Sequence, residues 1–404
     1  MGERVVGPRI VQVVREFSLA GGAESVAFEL QRAWRAAGIS AAVLASTSTE
    51  AGPDILALWP RTLGRIPTGG PWRHLGRLVA VPLFTILASL RLRHLRRDAV
   101  VVSHGDTFAG DVVVVHAVNH ANLQIKRQDG QRLWMLNPIH LWVALRDHVM
   151  IGGLRFRRYV AVSNRVRDEL MRYYGVPFER IAVIPNGVNL ARFRPQGADR
   201  DVMRREIGLR ENSPVLLFVG HEFERKGLGP VLEALAQLDA DTMLVVAGAG
   251  EIERYARRAE ALGVAARVLF LGARRDVERL YRMADVFVLP TSYETFSLVC
   301  MEAMACGMPV VACAVGGIED YLEDGVNGWA VPRDGTAIAA TLRRILSDPA
   351  LRQRLRDGAI ATAARYAWSA VAARYLDLVQ QLAREREMAG LPIAGLAPRG
   401  QRTP

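Results

Sequence analysis

Residues 291–312 have the sequence TSYETFSLVCMEAMACGMPVVA and predict a loop, a helix and a strand in that order. The polar loop carries Glu294 and follows an apolar strand. The helix begins near Ser297 and ends at Cys306, where a glycine suits its C-terminal stop. Pro309 then leads into the next strand. The helix therefore begins at the carboxyl end of a parallel strand, which is where open α/β sheets bind ligands.

The start of this helix is a candidate site for a ligand that carries both phosphate and hydroxyl groups. Free N–H groups at Ser297 and Leu298 would attract phosphate. Glu294 precedes the helix and Glu302 lies within it. A diphosphate would repel a carboxylate, so we expect both glutamates to accept hydrogen bonds from sugar hydroxyls. The alternative is a pair of surface glutamates that flank a buried helix.

A second segment, LLFVGHEFERKGL over residues 216–228, predicts a buried strand, a short loop and the start of a helix. Arg225 and Lys226 are adjacent in the loop, and the sequence contains only one other lysine, Lys126. A planar guanidinium and a compact ammonium both suit a diphosphate. We expect the pair to stabilise the charge that develops on a leaving nucleoside diphosphate, without a metal. The alternative is a solvated, charged loop.

A third segment, LAGGAE over residues 19–24, follows the first predicted strand and opens the first predicted helix. Gly21 and Gly22 would let the backbone approach a phosphate closely. Their spacing lacks the Gly-x-Gly-x-x-Gly of dinucleotide-binding folds, so no dinucleotide site is predicted. A plain tight turn explains the two glycines equally well.

Apolar runs alternate with amphipathic stretches along the chain, which is typical of βα units and parallel sheets. Residues 185–195 contain two prolines and an Asn-Gly pair and have the chemistry of a hinge. We therefore predict two open α/β domains, residues 1–190 and 191–367. The predicted strands are 9–14, 41–45, 99–102, 112–115 and 159–162, then 215–219, 243–247, 268–271, 286–289 and 310–312.

These segments together resemble the family-4 retaining glycosyltransferases, which have the GT-B fold. The family's Glu-x7-Glu frame matches Glu294 and Glu302, and the match continues through residues 303–305 (AMA) and a Gly-x-Pro-Val-Val. The Phe-x-Arg-Lys-Gly form around Lys226 looks most like lipopolysaccharide-core glucosyltransferases. The family also has a Gly-Gly-x-Glu turn like that at residues 21–24. The resemblance spans nearly the whole chain, and the C-terminal half carries most of it.

The resemblance implies a role for each candidate residue. Glu294 would contact the donor sugar, and Glu302 the ribose hydroxyls. Gly21 and Gly22 would lie at a cleft between the domains, near the acceptor and the donor phosphate. His116, directly after a predicted strand, would touch the sugar, although a packed histidine is an equally good interpretation.

The GT-B architecture also implies two Rossmann-like, doubly wound domains that face a central cleft. Residues 1–190 would bind the acceptor and residues 191–367 the nucleotide-sugar donor. A late helix, 368–385, would cross back to the first domain, and residues 386–404, rich in Gly, Pro and Arg, are predicted to form a disordered tail. Acceptor pockets are expected on variable loops such as 59–97 and 116–140.

Three further segments match the family less closely. Residues 186–188 (NGV) are followed by Asn189, where the family often has Asp. In residues 316–320 (GGIED) an Asp takes the family's Glu position, and we expect a structural turn. Arg274 and Arg275 are candidates to flank the nucleotide base.

Composition narrows the possible partners. The 404 residues carry a formal charge of +11, almost all from arginine, which favours phosphorylated substrates or acidic lipid. No aromatic-studded basic strand or recognition helix indicates nucleic acid. Cys300, Cys306 and Cys313 match no metal-ligand spacing, so neither a metal nor a cofactor is expected. Scattered thiols and the lack of a signal-like start favour the cytoplasm.

Residues 61–97 form a basic segment with eight arginines and no acidic residue around the apolar run 78–90. A helix of that run would rise about 20 Å, less than the ~30 Å of a hydrocarbon core, so a membrane-spanning helix is not expected. A core helix with a basic end is one interpretation. The other is an interfacial element on anionic headgroups, which would place the protein peripherally on the inner face of the cell membrane.

Together these features predict a metal-independent, retaining glycosyltransferase that moves a sugar from a nucleoside-diphosphate sugar to an acceptor such as a lipid-linked or cell-envelope glycan. No residue is an obvious covalent nucleophile, so retention rests on the resemblance and on a same-face mechanism assisted by the leaving phosphate. One alternative is a nucleotide-sugar 2-epimerase of the same fold, against which the Glu-x7-Glu frame argues. The other is a non-catalytic, basic membrane-binding protein.

Overall fold

Runs of valine, isoleucine and leucine form most strands of the two large parallel sheets. The computed structural model describes residues 8–19, 21–58, 73–128, 138–195 and 199–391. The chain divides into two units: the first runs to Asn186 and resumes at Trp368, and the second is Gly187–Ala367. The sequence-based boundary, between residues 190 and 191, falls a few residues after this division.

The first unit alternates strands and helices. Its strands are β1 (Ile10–Val13), β2 (Glu16–Phe17), β3 (Ala41–Ala45), β4 (Thr47–Ser48), β5 (Ile55–Ala57), β6 (Val100–Ser103), β7 (Val112–Val115), β8 (Arg158–Ala161) and β9 (Ile181–Val183). Its helices are α1 (Gly22–Ala36), α2 (Arg73–Leu95), α3 (Asn119–Gln128), α4 (Pro138–Asp147), α5 (Asn164–Tyr174) and, from the end of the chain, α14 (Trp368–Met388). Seven strands form a parallel sheet in the order β5-β3-β1-β6-β7-β8-β9, and β2 pairs with β4.

The second unit repeats this plan. Its strands are β10 (Val215–Val219), β11 (Met243–Ala247), β12 (Val268–Phe270), β13 (Val286–Leu289), β14 (Val310–Ala312) and β15 (Gly328–Ala330). Its helices are α6 (Asp199–Glu206), α7 (Phe223–Lys226), α8 (Leu228–Ala236), α9 (Ile252–Ala261), α10 (Val277–Met283), α11 (Leu298–Ala305), α12 (Gly335–Ser347) and α13 (Pro349–Ala364). The six strands are parallel, in the order β12-β11-β10-β13-β14-β15.

Continuous apolar runs explain the central strands, because helices on both faces of a parallel sheet bury every side chain of the strand. All residues of β1, β6, β7, β10 and β13 are buried, and the predicted bounds of β3, β7, β10, β11, β13 and β14 coincide with those observed. No strand was predicted at β2, β4, β5, β9 or β15, because these strands are two or three residues long and too short to show a pattern.

The last helix, α14, belongs to the first unit. The indole N–H of Trp34 on α1 donates to the carbonyl of Ala372 at 3.1 Å, and the Trp34 ring meets Tyr375 edge to face. The predicted end at residue 385 is wrong, because the buried guanidinium of Arg386 donates to the carbonyls of Arg96 and Ala99 and holds the last turn. Residues 392–404 of the predicted tail lie outside the described residues.

Helix α2 is longer than the sequence analysis predicted. It has 23 residues because the flanking arginines continue the helix beyond the apolar run. Within the described residues, Gly76–Leu95 is long and apolar enough to cross a bilayer by length and composition alone, so the prediction that this helix is too short to do so is wrong. Phe84, Ala88 and Leu92 nevertheless pack into the core beside β1 and β3, so one face of α2 covers the sheet. Arg61 and Arg65 lie outside the described residues.

Candidate functional site

The loops at the carboxyl ends of β10 and β13 bring the two predicted basic residues, Arg225 and Lys226, close to Glu294. Arg225 and Lys226 end the short helix α7 after β10, and Glu294 lies in the loop between β13 and α11. The Lys226 ammonium contacts the Glu294 carboxylate directly, and Arg225 Nη1 lies 3.4 Å from the same oxygen. These three predicted site residues therefore form one cluster in the second unit.

The cluster is partly shielded from water. The side chains of Lys226 and Glu294 are 12% and 10% exposed, and that of Arg225 is 23% exposed. A second carboxylate, Glu222, accepts from Arg225 Nε at 2.6 Å. Arg225 and Lys226 are thus held in place by acidic partners. The sequence predicted these residues for the site but not the direct ion pair between Lys226 and Glu294.

Glycine allows the two loops to approach each other. Gly227 has a φ of +86°, and a Cβ added there would lie 2.2 Å from the carbonyl oxygen of Pro290. The Ser292 N–H donates to the carbonyl of Arg225 at 2.9 Å and ties the loops together. Gly227 is therefore needed for both its left-handed conformation and its lack of a side chain.

The turn at residues 316–320 supports Glu294 from the other side. It forms a 3-10 helix, and Gly316 has a φ of +61°. A Cβ on Gly316 would lie 1.5 Å from the carbonyl oxygen of Glu294, so only glycine fits. The structural role expected for this turn is consistent with that contact.

Substituting Gly316 by alanine should destabilise the second unit more than the matched change Gly263→Ala. Both glycines have positive φ values, but nothing lies within 4 Å of a Cβ on Gly263. Gly263→Ala should cost about 1–2 kcal/mol from the left-handed conformation alone, and Gly316→Ala roughly 1–3 kcal/mol more from overpacking. Thermal unfolding of both variants tests this, and equal losses would show that the loop yields without strain.

Helix α11 begins where the sequence analysis placed it. Leu298 is its first residue, and Ser297 precedes it with a φ of +65°, an uncommon value for a residue other than glycine. The Tyr321 hydroxyl donates to the carbonyls of Phe296 and Ser297 at 2.9 and 3.3 Å and supports that conformation. The first-turn N–H groups of a helix have no acceptor within it, so Leu298 presents donors suited to an anion.

Glu302 lies one turn into α11, apart from the ion-paired cluster. The Tyr281 hydroxyl donates to Glu302 Oε2 at 3.1 Å. No ion pair or hydrogen bond between described residues joins Glu302 to Glu294, Arg225 or Lys226. Burial raises the pKa of Glu302 to about 7, although the hydrogen bond from Tyr281 and the charge of Arg192 act to lower it. Tyr281 was missed, because a lone tyrosine on an apolar helix face gives no motif.

The raised pKa predicts that Glu302 makes nucleotide binding pH-dependent. Below about 7 the carboxyl is mostly protonated, so the ribose hydroxyls that the resemblance assigns to Glu302 would be accepted fully only as the pH rises through that value. We expect its contribution to nucleoside-diphosphate affinity to rise up to about 10-fold between roughly pH 6 and pH 8. Calorimetric titration of the protein and of Glu302→Gln separates this effect from ionisation of the diphosphate. A wild-type pH dependence equal to that of the variant would contradict it.

In the first unit, Gly21 and Gly22 differ in their surroundings. Gly21 precedes α1 with a φ of +109°, and a Cβ there would lie 2.6 Å from Glu24 Oε2. Nothing lies within 4 Å of a Cβ on Gly22. Gly21 is therefore required by the turn, whereas Gly22 leaves open space at the start of the helix.

His116 follows β7 as predicted and stacks on a histidine that the sequence analysis missed, His104. Nitrogens of the two rings lie 3.1 Å apart, and Gln12 Oε1 lies 2.8 Å from His104 Nε2. Burial lowers the pKa of His116 to about 4. Burial and the neighbouring His116 lower the pKa of His104 well below its usual value. Both rings are therefore neutral near neutral pH.

The weaker candidates have ordinary structural partners. Arg274 pairs with Asp276 at 2.6 Å, and the carbonyl of Arg275 accepts from Arg192. Asn189 Oδ1 accepts from the backbone N–H groups of the residues that follow it. The side chain of Lys126 lies outside the described part of the chain. In the described ranges no three His, Cys, Asp or Glu side chains cluster as metal ligands would, and metal independence stays a prediction.

Solved structures share this architecture. WaaG, a glycosyltransferase involved in lipopolysaccharide biosynthesis, superposes with a TM-score of 0.72 over 92% of this chain and 99% of WaaG, at 22% identity. Anabaena HepE, in complex with UDP and glucose, gives a TM-score of 0.68 over 93% of this chain and 100% of HepE, at 19% identity. The predicted α/β fold with two Rossmann-like domains is confirmed as the GT-B fold.

Sequence comparisons agree with the fold. The family model "Glycosyltransferase Family 4" matches residues 20–192, and "Glycosyl transferases group 1" matches residues 199–362. A D-inositol 3-phosphate glycosyltransferase of Geodermatophilus obscurus is 30% identical over 92% of this chain and 88% of its own length. One of the same name from Xylanimonas cellulosilytica is 39% identical, over 56% of this chain and only 57% of the relative. The chain belongs to the family-4 glycosyltransferases.

Proposed function

We propose that this protein is a metal-independent, retaining glycosyltransferase that uses a nucleoside-diphosphate sugar as donor. The observation that carries the proposal is the cluster of Lys226, Arg225 and Glu294 beside the N-terminus of α11. Cations and helix N–H groups bind a diphosphate, while a carboxylate beside them accepts sugar hydroxyls. The solved HepE complex contains UDP and glucose, ligands of this class.

The proposed reaction breaks the bond between the anomeric carbon and the diphosphate oxygen. Negative charge grows on that oxygen, and Lys226 and Arg225 stabilise it because both are held beside it before the reaction begins. The acceptor oxygen attacks from the face that the diphosphate leaves, and its proton passes to a phosphate oxygen of the leaving group. The anomeric configuration is retained without a covalent intermediate on the protein.

The second unit would bind the donor, with the ribose hydroxyls on Glu302 and the sugar on Glu294. Acceptor recognition would fall to the first unit. A lipid-linked or cell-envelope glycan is our first candidate for the acceptor. The names of the inositol-phosphate-using relatives add a phosphorylated polyol as a second candidate.

We also propose that the first unit docks on an anionic membrane surface inside the cell. Exposed apolar residues project from two helices that contact each other: Leu141 and Leu145 on α4 are 67% and 56% exposed, and Val79 on α2 is 52% exposed. The C-terminal half of α2 also lines a cavity of about 410 Å³ that combines apolar and arginine side chains, among them Ile86, Leu90, Phe108, Arg93, Arg96 and Arg155. Apolar groups beside arginines suit acyl chains and anionic headgroups.

Vesicle sedimentation tests the membrane proposal. The protein should bind vesicles that contain phosphatidylglycerol, and the double variant Leu141→Asp/Leu145→Asp should bind them several-fold more weakly. Val202→Asp serves as the matched control, because Val202 is an exposed apolar residue of the second unit. Equal binding by all three proteins would contradict the proposed surface.

A panel of nucleotide sugars tests the enzymatic proposal. Thermal shift identifies the donors that bind, and assays of donor consumption then follow the fate of the sugar. Transfer to an acceptor, or slow hydrolysis with retained configuration, supports a glycosyltransferase. Release of a free, 2-epimerised sugar would indicate the epimerase, and vesicle binding without any donor binding would indicate a non-catalytic membrane protein.

A further inference from the structure

The loop before α11 packs against Gly316 and Tyr321, which lie at the two ends of the 3-10 turn after β14. The carbonyl oxygen of Glu294 fills the space that a side chain on Gly316 would need. The Tyr321 hydroxyl donates to the carbonyls of Phe296 and Ser297, at 2.9 and 3.3 Å. Three carbonyl groups of one short loop therefore face the same turn.

Tyr321 is itself held in place. It is 4% exposed, and its ring packs against those of Phe296 and Tyr366, with centroids 5.6 and 6.0 Å away. The side-chain amide of Asn327 donates to the backbone carbonyl of Tyr321 at 2.7 Å. Burial raises the pKa of Tyr321 well above its usual value, so the hydroxyl keeps the proton that it donates.

The two hydrogen bonds from Tyr321 set the direction of two backbone N–H groups. In a trans peptide unit the C=O and N–H bonds point in opposite directions. Because Tyr321 holds the carbonyls of Phe296 and Ser297 on one side of the loop, the N–H groups of Ser297 and Leu298 face the other side. Within the described part of the chain, no group accepts a hydrogen bond from either N–H.

These N–H groups also converge. Ser297 has a left-handed backbone, with φ of 65° and ψ of 81°, and Leu298 begins the right-handed helix α11. Such a change of hand turns successive N–H groups towards a common point and forms a concavity that binds anions. An L-residue such as serine adopts the left-handed conformation only at a cost in free energy. The hydrogen bonds from Tyr321 offset that cost.

We propose that Tyr321 is a positioning residue of the donor site: its hydroxyl holds Ser297 in the left-handed conformation and so directs the N–H groups of Ser297 and Leu298 at the diphosphate of the donor. The identity of the ligand rests on the proposed function, whereas the backbone conformation does not. Tyr321 acts from the opposite side of the loop. Loss of its hydroxyl should therefore weaken binding of the phosphates without weakening binding of the nucleoside.

Crystal structures without a ligand test the conformation. Tyr321→Phe keeps the ring and removes only the hydroxyl. We expect the φ of Ser297 to leave the positive region in this variant. Residue 297 should keep a positive φ in the wild type and in Ser297→Gly/Tyr321→Phe, because glycine adopts such values without strain. A Tyr321→Phe structure in which Ser297 keeps its φ would overturn the positioning role.

Calorimetric titration tests the consequence for the ligand. The nucleoside diphosphate of the donor that the panel selects should bind Tyr321→Phe about 10-fold more weakly than the wild type, and the matching nucleoside should bind both equally. With glycine at residue 297, the loss caused by Tyr321→Phe should shrink to roughly 2- to 3-fold.

Tyr255→Phe is the matched control, because it also removes the hydroxyl of a buried tyrosine in the second unit. It should bind both ligands as the wild type does. Equal losses for diphosphate and nucleoside in Tyr321→Phe, the same diphosphate loss in Tyr255→Phe, or an undiminished loss with glycine at residue 297 would each overturn the proposal. If the wild type binds no nucleoside diphosphate, the proposed function fails, and the φ of Ser297 still decides whether Tyr321 fixes the loop.

Discussion

Lys226→Ala should lower the rate of sugar transfer by about 10²- to 10³-fold, corresponding to about 3–4 kcal/mol of transition-state stabilisation. The ammonium is preorganised beside Glu294 and is 12% exposed, so water replaces it poorly when charge grows on the leaving diphosphate. The loss should appear mainly in kcat, because the interaction strengthens as the bond breaks. Steady-state kinetics with the selected donor measures it.

Arg205→Ala is the matched control for charge. It removes one cation from the same unit, but Arg205 is 61% exposed and pairs with an exposed glutamate. It should leave kcat within about 2-fold of the wild type. A Lys226→Ala enzyme that keeps nearly full activity while Arg205→Ala is also active would remove Lys226 from the proposed mechanism.

Glu294→Ala should destabilise the second unit by about 3 kcal/mol, because it leaves Lys226 without its acidic partner in a partly shielded site. This loss of stability is at the lower end of the range for breaking a buried ion pair, because both side chains remain about a tenth exposed to solvent. Arg225 is affected less, because Glu222 remains within 2.6 Å. Denaturant unfolding followed by far-ultraviolet circular dichroism measures the change.

The double variant Lys226→Ala/Glu294→Ala separates stability from catalysis. It removes both charges and should recover most of the stability lost in Glu294→Ala, while sugar transfer stays as slow as in Lys226→Ala or slower. If the double variant were no more stable than Glu294→Ala alone, the ion pair would not account for the loss.

The sequence predicted the parts of the site better than their contacts. The strands before Lys226 and Glu294 were evident because parallel sheets bury continuous apolar runs. The contact between these residues joins positions 68 apart, and no spacing rule predicts which loops meet. It depends on the close backbone approach of Gly227 and Gly316, which only three-dimensional packing reveals.

The hydrogen bonds that join Gln31, Gln12, His104 and His116 in the first unit were not predictable in the same way. Gln12 interrupts an apolar strand, and Gln31 lies on the buried face of α1. Each residue, taken alone, indicates only an imperfect hydrophobic pattern. Their contacts follow from the strand order, which places β1, β6 and β7 side by side and so brings Gln12, His104 and His116 next to one another. The length of α2 was misjudged for a related reason: arginines continue a helix as readily as leucines do.

Binding of a nucleoside and of the matching nucleoside diphosphate tests most directly whether the acidic and basic residues hold different parts of one ligand. Both ligands are titrated into the wild type, Lys226→Ala and Glu302→Gln at a pH above 7. We expect Lys226→Ala to bind the diphosphate roughly 10- to 100-fold more weakly but the nucleoside unchanged, and Glu302→Gln to bind both more weakly. If Lys226→Ala bound the diphosphate as tightly as the wild type, or if Glu302→Gln affected neither ligand, these residues would not share a donor site.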